Sequence, residues 1–165
     1  MSETKHPGSA VSPIACSPPR HEIIEGQYVT LIPTEAGHAE ELWQVVGGSA
    51  TAGLYDYMPY GPFHNAQDLI DRVAALASSA DPLFWTIKHR DSAKLLGWLS
   101  LLRIDTANRV VEIGHILYAP QLQRTTAATE AWFLLANKAV SENSHNILHR
   151  TNQPPLQVLG RLPQA

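Results

Sequence analysis

Three apolar runs, residues 83–89, 94–104 and 109–118, are separated only by the short polar stretches Arg90-Asp91-Ser92-Ala93 and Asp105-Thr106-Ala107-Asn108. Parallel neighbours in a sheet need a crossover of about a dozen residues, so links this short leave an antiparallel meander as the arrangement. Pro120 closes the last run. Helical patterns lie on both sides of it. Thr34 offers an N-cap for a helix over 35–46, with Ala39, Trp43 and Val46 on one face and Gly47-Gly48 to stop it. Asn65 caps a second helix over 66–78, with Leu69, Val73 and Leu76 at helical spacing and Asp81-Pro82 beyond it. Residues 126–140 are apolar nearly all round, the pattern of a helix buried on most sides. Residues 27–32 alternate as a strand before the first helix, and 146–151 read as a short strand after the last. The order β-α-α-β-β-β-α-(β)-(α) makes an α+β fold, a mostly antiparallel sheet flanked by helices.

Composition narrows the function. A chain of 165 residues with 44% hydrophobic residues holds one domain with a sizeable core. A net charge of −3 argues against a nucleic-acid binder, and a single cysteine, Cys16, excludes a disulfide framework or a cysteine-rich zinc site. The richest apolar stretch, 95–102, is far below the roughly 18 residues of a membrane helix and contains Trp98 and Ser100. A protein of the cytoplasm with no membrane partner is therefore expected. Residues 1–25 read as a disordered tail, its first twenty rich in proline and serine, with the folded domain over 26–165. His145 and His149 stand four apart with no third ligand nearby, so no metal is expected. The loop 54–63 carries Tyr55, Tyr57, Tyr60 and Phe63, either a lid on the core or a wall of a ligand cleft.

The most informative stretch runs from Ile116 to Ala131: a strand, a tight polar turn and a helix opening on the small residues Thr126, Ala127 and Ala128. A helix N-terminus presents unpaired N–H groups and a positive dipole end, both suited to phosphate, and Arg124 adds charge. Tyr118-Ala119-Pro120 followed by Gln123-Arg124-Thr125-Thr126-Ala127-Ala128 resembles the acyl-CoA-binding motif of the GNAT superfamily of N-acyltransferases. Ala128-Thr129-Glu130-Ala131, residues 57–63, Leu101-Leu102-Arg103-Ile104-Asp105 and Glu112-Ile113-Gly114-His115-Ile116 are similar to its RimJ/RimL-like branch, related to ribosomal-protein N-acetyltransferases. The resemblance covers roughly residues 26–140.

It implies transfer of an acetyl group from acetyl-CoA to a primary amine, a protein N-terminus or a small molecule, with acetyl-CoA as co-substrate. Backbone groups of Ile116 and Tyr118 would hold the pantetheine arm, and the N–H groups from Gln123 through Arg124, Thr125, Thr126, Ala127 and Ala128 to Thr129 would cradle the pyrophosphate. Thr126 stands where the family usually has glycine, so a positive φ there would strain a β-branched residue. Glu112 and His115 are the candidate general bases; an unbulged strand would send them to opposite faces. Glu112 reads equally as a surface carboxylate and His115 as a core or interface histidine. Tyr57, Tyr60, Phe63, Trp98 and Arg103 are candidates for the acceptor site, Arg103 and Asp105 reading also as an ion pair at a hairpin end. Residues 141–165 offer 25 positions where the family's remaining elements need about 40. Asn152 falls where the family often has an asparagine that touches CoA, Pro154-Pro155 breaks the next element, and no residue matches the family's acid tyrosine. The expectation is thus a GNAT-like fold with its last strands missing. The alternative is a catalytically inactive relic of that fold, binding CoA or acting as an interaction module. A partner chain completing the sheet, as in a homodimer, is a third option.

Overall fold

The computed structural model describes residues 15–143 and 146–148. Asn152, His145, His149 and the rest of 149–165 lie outside the described residues. One sheet carries six strands in sequence order: β1 (Ile24–Glu25), β2 (Val29–Pro33), β3 (Leu83–His89), β4 (Leu95–Asp105), β5 (Val110–Tyr118) and β6 (Asn146–Leu148). The first five are antiparallel neighbours, as the short links require. β6 runs parallel to β5, pairing Val110–Glu112 with Asn146–Leu148. That reversal of sense needs a crossover, which α3 (Thr126–Asn143) supplies. Between β2 and β3 lie a 3-10 turn (Ala36–His38), α1 (Ala39–Val46), a second 3-10 segment (Ser49–Tyr55) and α2 (Ala66–Ala77).

Cross-strand partners point the same way, so register assigns the faces. Leu31↔Ile87, Trp85↔Leu99 and Leu101↔Ile113 share one face, buried on the α3 side. Phe84↔Ser100, Thr86↔Trp98, Ser100↔Gly114 and Leu102↔Glu112 share the other, under α1 and α2. Thr86 shows this directly, its Oγ1 meeting Thr34 Oγ1 at 3.0 Å and His38 Nδ1 at 3.1 Å.

Several local expectations change. Thr34 caps no helix, because its hydroxyl is taken by Thr86. Gly37 weakens the α-helical start, and α1 begins only at Ala39 after the 3-10 turn. Of the face proposed for α1, Ala39 and Val46 are buried together with Leu42, while Trp43 is half-buried. Asn65 does cap α2, its Oδ1 accepting from Asp68 N at 2.9 Å, and Leu69, Val73 and Leu76 are buried. Part of the aromatic loop winds into the second 3-10 segment, where the buried Tyr55 hydroxyl donates to Val46 O at 2.8 Å, satisfying a carbonyl that ends α1. α3 is not apolar and buried all round: Phe133 and Val140 are exposed.

Residues 16–25 are not a tail. Glu22 O accepts from the buried Trp85 indole Nε1 at 2.8 Å, and Glu22 Oε1 accepts from buried Lys138 Nζ at 2.9 Å. Both groups are costly to bury without partners, and this segment supplies them. His21 adds an edge contact on Trp85 at 4.6 Å, and Cys16 N donates to Thr106 O at 3.0 Å. β1 then turns tightly into β2, and the turn's N–H groups aim at α3. Glu130 accepts from Gln27 N (2.8 Å), Tyr28 N (2.7 Å) and Val29 N (2.9 Å). A Cβ on Gly26 would fall 2.7 Å from that carboxylate and 2.6 Å from Leu134 Cδ1, so any larger residue would have to displace the two side chains that close on the turn.

Burial acts to raise the Glu130 carboxyl pKa, but the three backbone donors and Arg90 outweigh it and hold the value below the ordinary glutamate range. A folded-state pKa below the unfolded one means stability fully present above the unfolded value and lost as pH falls through the folded one. Glu130→Gln is expected to cost about 1–2 kcal/mol in urea unfolding at neutral pH. The gap from the parent protein should close as the pH falls below the ordinary glutamate range; equal stability at neutral pH would contradict this assignment.

Candidate active site

The β4–β5 ladder is broken in two places, and the breaks build the site. Trp98 pairs with Leu117 but Ser100 pairs with Gly114, so the single residue Leu99 faces both His115 and Ile116. His115 takes up the extra residue with φ of +48°, in the left-handed region. The bulge cancels the alternation that would have separated Glu112 from His115. The His115 ring lies against Tyr60 (centroids 5.6 Å, 10° between planes) and Phe84 (5.5 Å), on the α1–α2 face that Glu112 shares. In the second break Arg103 and Ile104 oppose Val111, and Arg103 has φ of +51°. The Asp81 carboxylate accepts from both bulge amides, Arg103 N at 2.9 Å and Ile104 N at 3.1 Å. That fixes Arg103 so that Nη1 donates to Glu112 Oε2. At the other end of the ladder, beside the first break, Gly97 has φ of +133°, and a Cβ there would sit 2.0 Å from Leu117 O. The two backbones approach that closely only because this residue is glycine.

A cavity of about 340 Å³ opens beside His115, lined by residues that include Tyr60, Arg72, Leu76, Ser79 and Phe84. Its volume is in the range of small-molecule pockets. The Arg72 guanidinium lies over the Tyr60 ring at 4.7 Å, and Trp98 Nε1 donates to Tyr60 Oη at 3.2 Å from behind. Burial pushes the Tyr60 phenol up to about 12, against the opposing pull of the Trp98 hydrogen bond and Arg72. Burial likewise lowers the His115 pKa from its ordinary value; Arg72 and Arg103 lower it further, and Glu112 opposes them. His115 is thus held neutral at neutral pH. Its Nδ1 is buried with no hydrogen-bond partner among the described residues. A neutral imidazole at the end of a strand, facing a small cavity, can accept a proton from a bound molecule.

β5 leads directly into the second part of the site. After Tyr118 the chain folds back, Leu122 N and Gln123 N donating to Ala119 O at 2.9 and 3.2 Å, and α3 starts with Thr125 as its cap. Thr125 Oγ1 accepts from Ala128 N at 3.1 Å, and Thr129 N donates to Thr125 O. Between these bonded groups the N–H groups of Arg124, Thr125, Thr126 and Ala127 have no partner among the described residues. Arg124 is the left-handed residue of the turn, φ of +61°, so the strain foreseen for Thr126 falls on Arg124 instead. Consecutive unpaired amides running from a left-handed residue into a helix form an anion cradle. It is narrower than the Gln123–Thr129 run read from the motif, because Gln123, Ala128 and Thr129 have spent their N–H groups. Gln123 Nε2 also donates to Tyr118 O at 3.0 Å, and Tyr118 Oη donates to Ala128 O at 3.2 Å, tying the strand end to the helix.

The remaining candidates divide. Trp98 is fully buried and supports Tyr60 rather than lining the cavity. Phe63 is buried against Tyr55 and Tyr60 as part of the lid on the core, and Tyr57 is exposed and does not line the cavity. Ile116, the second bulge residue, is half-buried. Asp105 forms no ion pair with Arg103; it accepts from Asn108 N and Nδ2 in its own turn. Arg72, Phe84 and Asp81 escaped the sequence reading. Arg72 was hidden in an ordinary amphipathic helix; the one available signal was a cation placed one residue before the buried Val73.

Among the described residues no cluster of three His, Cys, Asp or Glu could hold a metal, and no helix is long and apolar enough to cross a membrane. No protein-family model matches the chain, and no curated protein matches it. Solved structures do. A GCN5-related N-acetyltransferase from Brucella melitensis superposes with a TM-score of 0.76 and 31% sequence identity, covering 79% of this chain and 60% of that one. A Chromobacterium violaceum protein assigned to the GNAT acetyltransferases gives 0.72 and 28%, covering 86% and 72%. The microcin C7 self-immunity acetyltransferase MccE, solved with acetyl-CoA and AMP, gives 0.59 and 18%, covering 75% and 69%, a likeness of fold alone. The fold is that of the GNAT acyl-CoA N-acyltransferases. This chain spans 60% of the length of the Brucella protein.

Two outcomes check the geometry. Followed by NMR, the His115 ring is expected to titrate below the ordinary histidine value and to move upward in Arg72→Gln. Gly97→Ala is expected to destabilise the fold by about 2–4 kcal/mol, since a methyl cannot share space with a backbone carbonyl. An ordinary His115 titration or a neutral Gly97→Ala would contradict it.

Proposed function

We propose that the chain is an N-acetyltransferase of the GNAT superfamily, transferring acetyl from acetyl-CoA to a primary amine. One juxtaposition carries this reading: β5 leads into the turn whose Arg124–Ala127 amides have no partner among the described residues and, before its end, sets His115 against a small cavity. The amide cradle and Arg124 take the pyrophosphate, and the backbone at Ile116 and Tyr118 takes the pantetheine arm. The thioester then lies along β5 beside His115. Neutral His115 removes a proton from the acceptor's ammonium; the freed amine forms the C–N bond as the C–S bond breaks, and the departing thiolate takes up the second proton that the new amide nitrogen gives up. Glu112, held by Arg103, faces the same side and favours the protonated imidazole once it has formed. Its carboxylate is already engaged, which leaves His115 as the better base. The resemblance to the RimJ/RimL-like branch supports an N-terminal or small-molecule amine as acceptor.

Calorimetry with acetyl-CoA tests the cradle, with Arg124→Glu expected to weaken binding about tenfold or more. His115→Ala is expected to leave that affinity in place and lower turnover about 10²–10⁴-fold. The parent kcat/KM should rise with pH as His115 deprotonates, with its midpoint below the ordinary histidine value. A folded chain that binds no acetyl-CoA overturns the reading. Binding without turnover on a panel of amines and peptides would leave a CoA-binding module.

A further inference from the structure

The cavity beside His115 is lined by the cation Arg72, which has no counter-ion among the described residues. Arg72 is half-buried on α2, its guanidinium stacked on Tyr60. Its usual helical partner would be the acid four residues earlier, Asp68. The Asp68 carboxylate is instead held at the helix start, where Oδ2 accepts from Asn65 Nδ2 at 2.7 Å. Asp71 accepts from Gln67 Nε2 at 2.8 Å. Asp81 is occupied by the two bulge amides of β4, and Glu112 by Arg103. Among the described residues no carboxylate pairs with Arg72. The rest of the wall is largely apolar, with Leu76, Pro82 and Phe84 among its lining and Ser79 as a small polar group. A cation against apolar walls gains most from an anion that fills the space and accepts its N–H groups in pairs, as a carboxylate does.

Tyr60 links this cation to the proposed base. One ring contact joins it to Arg72 and another joins it to His115. An amine delivered to His115 therefore has a guanidinium within the same small cavity. We infer that the acceptor is a small amino-acid-like molecule, a primary amine whose own carboxylate pairs with Arg72 while the amine meets His115. This rests on the acetyltransferase reading and adds to it a substrate class. Tyr60 positions the guanidinium, and the volume of about 340 Å³ suits a molecule of that size rather than a folded protein surface.

The test compares each amino acid with its carboxamide, which keeps the amine and the shape but loses the charge. A series from α-alanine through β-alanine to γ-aminobutyrate, each beside its amide, samples the spacing. For at least one spacing the acid is expected to exceed its amide about tenfold or more in kcat/KM, chiefly through KM. Arg72→Gln should erase that preference and Arg72→Lys should retain part of it. Amides acetylated as well as acids, or a preference that survives Arg72→Gln, would overturn the inference while leaving acetyl transfer intact. Acetylation of peptide N-termini with none of the small acids acetylated would likewise overturn the inference alone; if neither these amines nor any peptide is acetylated, the acetyltransferase reading fails separately. The inference is then decided by NMR titration of the same acids and amides, where only the acids should shift the Arg72 side-chain resonances. Equal shifts, or none, would end it.

Discussion

Everything proposed for this chain depends on one extra residue in β5. Where Leu99 faces both His115 and Ile116, the strand gives up a regular ladder and His115 enters the left-handed region. Left-handed backbone at a non-glycine residue costs roughly 1 kcal/mol or more. The surrounding sheet supports it: the buried Ser100 hydroxyl donates to Gly114 O at 3.0 Å beside the bulge, and Gly97 lets β4 approach Leu117 closely. The result is a histidine rotated onto the face of the sheet that carries Tyr60, Phe84 and Arg72. The same strand then runs on into the turn that leaves four amides unpaired among the described residues.

The rest of the fold holds these two parts in register. α3 begins at the amide cradle and is fixed by two charges a little over two turns apart. Glu130 grips the β1–β2 turn, and Lys138, buried in the core, reaches Glu22. Small residues, Ala127, Ala128 and Ala131, bring the helix start close to the sheet. On the other face the Asp81 carboxylate secures the β4 bulge, which in turn presents Arg103 to Glu112. The electrostatics of the cavity thus come from cations set on separate elements, one on β4 and one on α2, around a neutral imidazole.

The meander and the two amphipathic helices were legible because they rest on local rules: short polar links, an Asn65 cap and apolar spacing. The strand–turn–helix at 116–131 was legible by motif, and its structural role for Glu130 lay hidden inside the same motif. What escaped was decided at a distance. Residues 16–25 look unstructured in sequence, yet they are recruited by the unmet needs of Trp85 and Lys138, far along the chain. The alternation rule separated Glu112 from His115, and no local signal in Glu112-Ile113-Gly114-His115 announces the bulge that brings them to one face. Trp98 looked like a cleft aromatic because residue type alone does not tell a wall from its support. Arg72 was invisible for the opposite reason, being one more charged residue on a surface helix.

Backbone NMR of the isotope-labelled chain during titration with acetyl-CoA reaches the central claim most directly. The largest amide shifts are expected at Arg124, Thr125, Thr126 and Ala127, with His115 and Ile116 moving at the same ligand concentration. Shifts centred elsewhere, or a cradle and a His115 that respond to different ligands, would contradict the account.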